Sequence, residues 1–472
     1  MNEFYLIVHK TFISLCFFII SLSFLPCNAQ TSRPRVFVLT DISNEPDDEE
    51  SLVRFLLYAN EFQVEGLVAT TSCWLWHGTR EDLIHRHLEA YEKVYQNLTK
   101  HASGYPTVDE LRRVVSTGQP EYGMANVGEG HTTAGSELLL RVASQEDENP
   151  LWVLAWGGTN TLAQALYDAR KKMSSEELKE MVARMKVYAI SDQDDAGIWI
   201  RNEFPDLFYI VDPSRPDGQN YEKALWSGIS GDRFYQTGVG YCFDLVDNPW
   251  LEKNVISGHG SLGELYPPLK YIMEGDTPSF LGLINNGLGW RECPAYGGWG
   301  GRYVYYQPHG ESRSIWTSNR DNRDTFEYAP GKFYVSNQAS LWRWRCEYQH
   351  DFAARMDWCV ADHYKKANHN PKAVVNGDES KNVLFLTAPL GSRVILSSEG
   401  TTDSDNDSVK VTWWIYQEAG NVEQARLLPN GKNVVVDLSD VKKKGQLHII
   451  MQVEDNGVPS LTSYRRIILS TL

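Results

Sequence analysis

Positive charge is in short supply. Against 61 Asp and Glu the chain sets 45 Lys and Arg, a formal net charge of −16 over 472 residues. Proteins hold a phosphate backbone by neutralising it with cations and releasing counterions, so nucleic acid is excluded as a partner. After Leu25 no apolar run approaches the roughly 20 residues that a spanning helix needs, which excludes a membrane-embedded helix bundle. Cysteine is sparse, seven in all, with no CxxC and no His/Cys cluster of zinc spacing. The chain has no internal repeat and no low-complexity tract.

What is present begins with a leader. His9 and Lys10 precede an apolar run from Phe12 to Leu25 and a small-residue ending, Cys27-Asn28-Ala29. This predicts a secretory signal peptide over residues 1–29 and a secreted or periplasmic protein. Pro26 directly before Cys27 fits a lipoprotein cleavage site poorly. Five cysteines then remain, Cys73, Cys242, Cys293, Cys346 and Cys359, so at most two disulfides form and a chain of this size needs none. Cys346 and Cys359 fall in one helical pattern, about 20 Å apart at 1.5 Å per residue, and should not be bonded to each other.

From Arg35 buried strands alternate with helices. Val36–Leu39 reads as a strand, Glu49–Asn60 as an amphipathic helix and Val64–Thr70 as the next strand, a βαβ unit and hence a parallel sheet. Further strands are expected at Leu151–Ala155, Met185–Ile190 and Leu207–Val211. The Gly-, Trp- and Tyr-rich stretch Pro278–Asn337 reads as long ordered loops. A helical pattern over Gln338–Lys366 is expected to dock on the first domain. From Ala373 short alternating runs predict a β-sandwich of Ig-like type. The expected organisation is an α/β domain over 33–337, a helical extension over 338–370 and the sandwich over 371–472.

Open parallel sheets place ligands at the carboxyl ends of their strands. There the strongest signal is Thr40-Asp41-Ile42-Ser43-Asn44-Glu45-Pro46-Asp47-Asp48. Asp47 and Asp48 suit a helix start as capping residues, but that does not account for Asp41 facing them from the strand end. Converging carboxylates repel unless a hard cation such as Ca²⁺ lies between them.

Val36–Leu57 followed by Glu65–Ser72 resembles the first βαβ of the nucleoside hydrolase superfamily. With the Gly-Asn run at 285–289, the Trp-Gly-Gly-Arg-Tyr run at 299–303 and the late sandwich, the chain more closely resembles the nucleoside-hydrolase-like, cellulose-binding family of secreted bacterial proteins. The resemblance covers nearly the whole chain after the leader. It implies an open, mostly parallel α/β sheet of nucleoside hydrolase type followed by the Ig-like sandwich. It also implies a Ca²⁺ site formed by Asp41, Asp47, Asp48, the Trp156 carbonyl and Asp276. Asp41 would be the general base, and Asp47 would also hold sugar hydroxyls. The loop carrying Asp192, Gln193, Asp194 and Asp195 matches the place of polar sugar-binding residues, although an acidic loop of this kind is also a common solvated surface feature. The local pattern around Trp156 reads equally as a Gly-rich turn, and that around Asp276 as a helix cap followed by Pro.

Three positions depart from the superfamily pattern. Glu45-Pro46 lengthens the spacing from Asp41 to the Asp pair, Leu39 replaces an earlier Asp, and Gly275 stands where many members carry a His that protonates the leaving base. These changes leave the metal ligands in place and count against nucleosidase activity. His259, between two glycines, is a candidate leaving-group acid and otherwise a plain loop residue. Trp74, Trp76, Trp290 and Trp299 are candidates for a sugar-stacking platform. Two functions follow: a secreted Ca²⁺-dependent hydrolase of N- or O-glycosidic bonds, or a non-catalytic carbohydrate-binding protein on the same fold. Either is compatible with a homo-oligomer.

Overall fold

β1 (Arg35–Thr40) is buried along its whole length, and its side chains alternate between two cores. Val36 and Val38 join a core with Leu52, Phe55 and Leu56 of α1 (Pro46–Leu57), whereas Phe37 and Leu39 join Leu138, Leu139 and Leu162 on the opposite face. A strand covered on both faces reads as continuous apolar sequence, which is why Val36–Leu39 is so legible. The computed structural model describes residues 33–43, 45–214, 220–318 and 322–472. The expected leader, with Cys16 and Cys27, lies outside the described residues.

β1 is central in an eight-stranded sheet with β2 (Gln63–Ala69), β3 (Val115–Thr117), β4 (Leu151–Ala155), β5 (Met185–Ala189), β6 (Phe208–Ile210), β7 (Val304–Tyr306) and β8 (Ile315–Thr317). The order is β3-β2-β1-β4-β5-β6-β8-β7, and every pair is parallel except β7 with β8. The chain leaves β1 to one side for β2 and returns on the other side for β4, so the direction of winding switches between β1 and β4. Such a switch point opens a crevice beyond the strand ends. Helices α2 (Glu81–His101), α3 (Ala134–Ala143), α4 (Asn160–Lys172) and α5 (Ala196–Glu203) belong to the crossovers and flank the sheet.

Two expectations need correction. The stretch 278–337 is not a run of loops: it supplies β7 and β8, which extend the main sheet, and a hairpin of β9 (Asp324–Ala329) and β10 (Lys332–Ser336) turning at Gly331, φ +71°. These strands are short and glycine punctuates them, so no alternating run is long enough to announce them. The helix expected over 338–366 is broken at Arg343-Trp344 into a single turn, Ala339–Trp342, and α6 (Arg345–Trp358). α6 is buried on several sides, because it touches both the α/β layers and the sandwich. Arg355 donates to the Leu57 carbonyl at 2.9 Å, and Gln452 donates to Glu347 at 3.2 Å.

The sandwich packs β11 (Leu384–Ala388), β17 (Thr462–Thr471), β16 (Gly445–Glu454) and β13 (Lys410–Ile415) against β12 (Arg393–Ser397), β15 (Asn433–Asp437) and β14 (Arg426–Asn430). Its core includes Leu396, Val434, Val436, Ile449, Met451 and Ile467. Strand β17 also runs along the α/β region. Tyr464 donates its amide to the Asn286 carbonyl and Arg466 to Gly287, both at 3.0 Å, and the Arg466 guanidinium reaches the Gly297 carbonyl at 2.7 Å. Ala373–Val375, expected as a strand, makes only an isolated bridge from Val375 to Asp378. Cys242 and Cys346 are disulfide-bonded, with Cα atoms 6.3 Å apart, and Cys359 is a free buried thiol. No helix among the described residues is long and apolar enough to cross a membrane.

Candidate active site

At the switch point a cavity of about 370 Å³ opens beyond the ends of β1 and β4. Its floor is acidic, formed by Asp41, Glu45, Asp47, Asp48 and Asp276, and its walls are aromatic. Each acid is placed by the local chain. Asp41 is the first residue after β1, and its Oδ2 accepts a hydrogen bond from Ser72 Oγ at the end of the neighbouring strand loop. Thr40 Oγ1 holds Asp48 in the first turn of α1. Pro46 sets the start of that helix, its missing N–H costing nothing there. The N-cap, Glu45, makes no side-chain cap.

Ligand oxygens of Asp47, Asp48 and Asp276 lie within 4.8 Å of one another. Asp47 Oδ1 and Asp276 Oδ2 are buried with no hydrogen-bond partner. Among the described lining residues there is no Lys or Arg. Carboxyls packed this way resist ionisation. Burial, then the charges of Glu45 and Asp41, push Asp47 up to about 8, and burial with the nearby Asp41 pushes Glu45 up to about 7. Asp48 and Asp276 are raised well above the usual carboxylate range, by burial first and by their acidic neighbours next. Asp41 is raised by burial, against the opposing hydrogen bond from Ser72. Asp41 lines the cavity beside the trio and is not one of the three converging groups.

Two glycines make room for this arrangement. A Cβ on Gly157, just after β4, would meet Asp41 Oδ1 at 2.4 Å, and one on Gly275 would meet Asp47 Oδ2 at 2.7 Å. The residue lost at 275 relative to the superfamily pattern is therefore tied to the packing of Asp47. Behind the acids, Glu274 forms a fully buried ion pair with Arg54 at 2.6 Å, and the Glu274 amide donates to Glu50 at 2.9 Å.

The structure sorts the remaining expected residues. Trp156 and Gln193 both line the cavity, and the Trp156 carbonyl accepts from Gln193 Nε2; the Trp156 indole donates to Ser279 at 2.9 Å. Trp74 lines the mouth, 36% exposed. Asp192 does not reach in, because Arg201 takes both its oxygens at 2.7 and 2.9 Å. Asp194 is consumed by Thr159 and by the amides of Asn160 and Ala196, and Asp195 accepts from the Met124 amide. His259 lies outside the cavity lining, with Nε2 3.2 Å from Asp357 of α6. Trp290 and Trp299 are each 2% exposed and cannot offer a surface platform. Trp290 packs on Trp152 and over Gly282, and Trp299 packs edge-on to Tyr348 and Tyr464.

The sequence reading missed most of the wall. Tyr221, Trp226, Phe234, Tyr235, Tyr271 and Ile272 come from a region of short helical turns without a sustained period. Trp226 donates to Ser191 Oγ at 3.0 Å, which ties this wall to the end of β5. Glu45 was visible as an insertion but carried no signal of its own.

The doubly covered sheet with an acid-floored cavity at its switch point is of nucleoside hydrolase type, as the similarity to known proteins shows. Residues 35–303 match the family described as cellulose-binding Sde182, nucleoside hydrolase-like domain, and residues 393–471 match the C-terminal domain of cellulose-binding protein Sde0182. The chain belongs to this family. Its structure is similar to that of a nucleoside hydrolase-related protein from Saccharophagus degradans associated with carbohydrate metabolism, at 33% identity and TM-score 0.79, covering 93% of this chain and 100% of that one. The effector protein XOO4466 (11% identity, 70% of this chain and 95% of that one, TM-score 0.32) is too distant to carry an argument. No curated protein matches the chain.

Proposed function

We propose that this chain is a secreted, Ca²⁺-dependent hydrolase of glycosidic bonds acting on a carbohydrate-containing substrate. The observation that carries this reading is the cluster of Asp47, Asp48 and Asp276, with two buried carboxylate oxygens lacking partners. An all-oxygen acidic donor set suits a hard cation, and such a cation would offset the burial and mutual repulsion that raise these carboxyls above their usual range. Asp47, Asp48 and Asp276 would hold the ion, with the Trp156 carbonyl adjacent. When bound, Ca²⁺ would supply Lewis acidity, polarising oxygens and easing the loss of a proton from water.

The remaining chemistry falls to the chain. Asp41, fixed by Ser72, would take the proton of the attacking water on Oδ1, the oxygen facing Gly157. Asp47 and Gln193 would orient sugar hydroxyls, and the aromatic wall would exclude solvent from the oxocarbenium-like transition state. The family's cellulose-binding description and the carbohydrate association of the Saccharophagus degradans relative support a glycan rather than a nucleoside.

A second reading, carbohydrate binding without turnover, is favoured by one observation: Gly275 brings no acid for the leaving group and Asp47 fills the space where one would stand. The test is release of reducing ends or free base from glycans and nucleosides, with and without Ca²⁺, by the wild type and Asp41→Asn. Loss of about 10²-fold or more in the variant is expected for a general base. Turnover that survives the substitution overturns the mechanism, and binding without any turnover selects the second reading.

A further inference from the structure

Two loops beside the cavity mouth are clamped together. The Gly78 amide donates to the Pro120 carbonyl at 2.7 Å, the Tyr122 amide donates to the Trp76 carbonyl at 3.0 Å, and His77 bridges to Glu121. On this frame the Trp76 indole lies flat on the Tyr122 ring, centroids 4.1 Å apart and planes within 23°. Its Nε1 donates to the Cys73 carbonyl at 2.8 Å. One face of the indole is thus covered and its orientation is fixed, yet the residue remains 52% exposed. A tryptophan held open in this way forgoes much of the burial that ordinarily stabilises it. The fold has no evident use for that outward face.

The position says what the face is for. Trp74, two residues earlier on the same loop, lines the cavity, and the stacked Trp76–Tyr122 pair adds an exposed aromatic surface to that loop outside the lining. We infer that the outer face of Trp76, backed by Tyr122, is a second sugar subsite that stacks a further ring of the glycan whose terminal ring occupies the cavity. A pyranose offers one apolar face for such stacking and hydroxyls at its edge. His77 and Glu121, both exposed, supply neighbouring polar groups for those hydroxyls. The ligand class is an oligosaccharide, and affinity grows when the chain is long enough to span from the cavity to the platform.

This inference rests on the glycan reading of the cavity, and the experiment separates the two. Glucose and cello-oligosaccharides from dimer to hexamer are titrated calorimetrically into the full chain with Ca²⁺, using wild type, Trp76→Ala and Trp76→Phe, and product release is followed in the same samples. Wild-type affinity should rise with length. Trp76→Ala should lose about three- to tenfold for the longer members and nothing for glucose, while Trp76→Phe restores most of the loss. Equal affinity of Trp76→Ala and wild type at every length overturns the subsite, as does a uniform loss that includes glucose, or the absence of binding by the wild type. A length-dependent loss without turnover retains the subsite and removes the hydrolase; turnover without a Trp76 effect does the reverse.

Discussion

Gly275 and Asp47 are packed so closely that a single methyl group on the glycine would stand 2.7 Å from the Asp47 carboxylate. Gly275→Ala is therefore expected to displace Asp47 while leaving the buried sheet intact. Calorimetric titration with Ca²⁺ should show at least a tenfold weaker site, with an unchanged circular dichroism spectrum. Wild-type Ca²⁺ affinity in the variant would remove Asp47 from the ligand set.

Asp276 offers the complementary test. Its Oδ2 is buried without a partner, among Asp41, Asp47 and Asp48. Replacing it by Asn removes one like charge, so the Ca²⁺-free protein should gain stability while the stabilisation by Ca²⁺ disappears. In the wild type that stabilisation should reach about 2.7 kcal/mol at one hundred times the dissociation constant. Thermal melts with and without chelator read both effects.

The same cluster sets a pH dependence. Asp47 is pushed up to about 8 and Glu45 to about 7 in the folded protein, from ordinary values near 4 in the unfolded chain. Between about pH 4 and 8 the folded state holds protons that the unfolded state releases, so Ca²⁺-free stability falls as pH rises through this window. Saturating Ca²⁺ should flatten the decline, because the bound ion favours the charged carboxylates. Urea midpoints from pH 5 to 8, with and without Ca²⁺, measure the difference. A Ca²⁺-free midpoint that rises across the window contradicts the cluster.

Asp192 and Arg201 provide a control on the loop after β5. Arg201 is 1% exposed and holds both Asp192 and Glu311, so Arg201→Met leaves Asp192 buried, and Glu311 partly buried, without their cation. Breaking a buried pair of this kind costs about 3–5 kcal/mol. Asp192→Asn should lower the unfolding midpoint and leave glycan affinity unaltered, whereas Gln193→Ala should weaken glycan affinity in addition to the stability lost with its hydrogen bonds to the buried Trp156 and Ile190 carbonyls. A reversed pattern would return Asp192 to the substrate.

What was legible in the sequence is what repeats locally. β1, β2, β4 and β5 announced themselves as apolar runs because both faces of the sheet are covered, and Asp41, Asp47 and Asp48 stood out because they cluster at a strand end and a helix start. β11 and β14 did not: both are edge strands with partly exposed residues, and Pro429 interrupts the pattern in β14. Four tryptophans stand out as stacking candidates, but local sequence does not say where a ring ends up. Trp290 and Trp299 went into the core, and Trp74 and Trp76 to the rim.

The sequence by itself determined the class of fold, the acidic motif and the family resemblance, because strand periodicity and motif spacing are carried within a few residues of chain. Tertiary structure alone decided which acids converge. Asp276 meets Asp47 and Asp48 across more than two hundred residues, and Asp192 is withdrawn to Arg201. It also built the aromatic wall from segments with no period of their own. Side-chain direction and long-range packing decide such meetings, and neither is encoded in local spacing. The scarcity of positive charge, at first only an exclusion, has its local counterpart here: no Lys or Arg lines the described cavity, and that leaves its carboxylates in want of a cation.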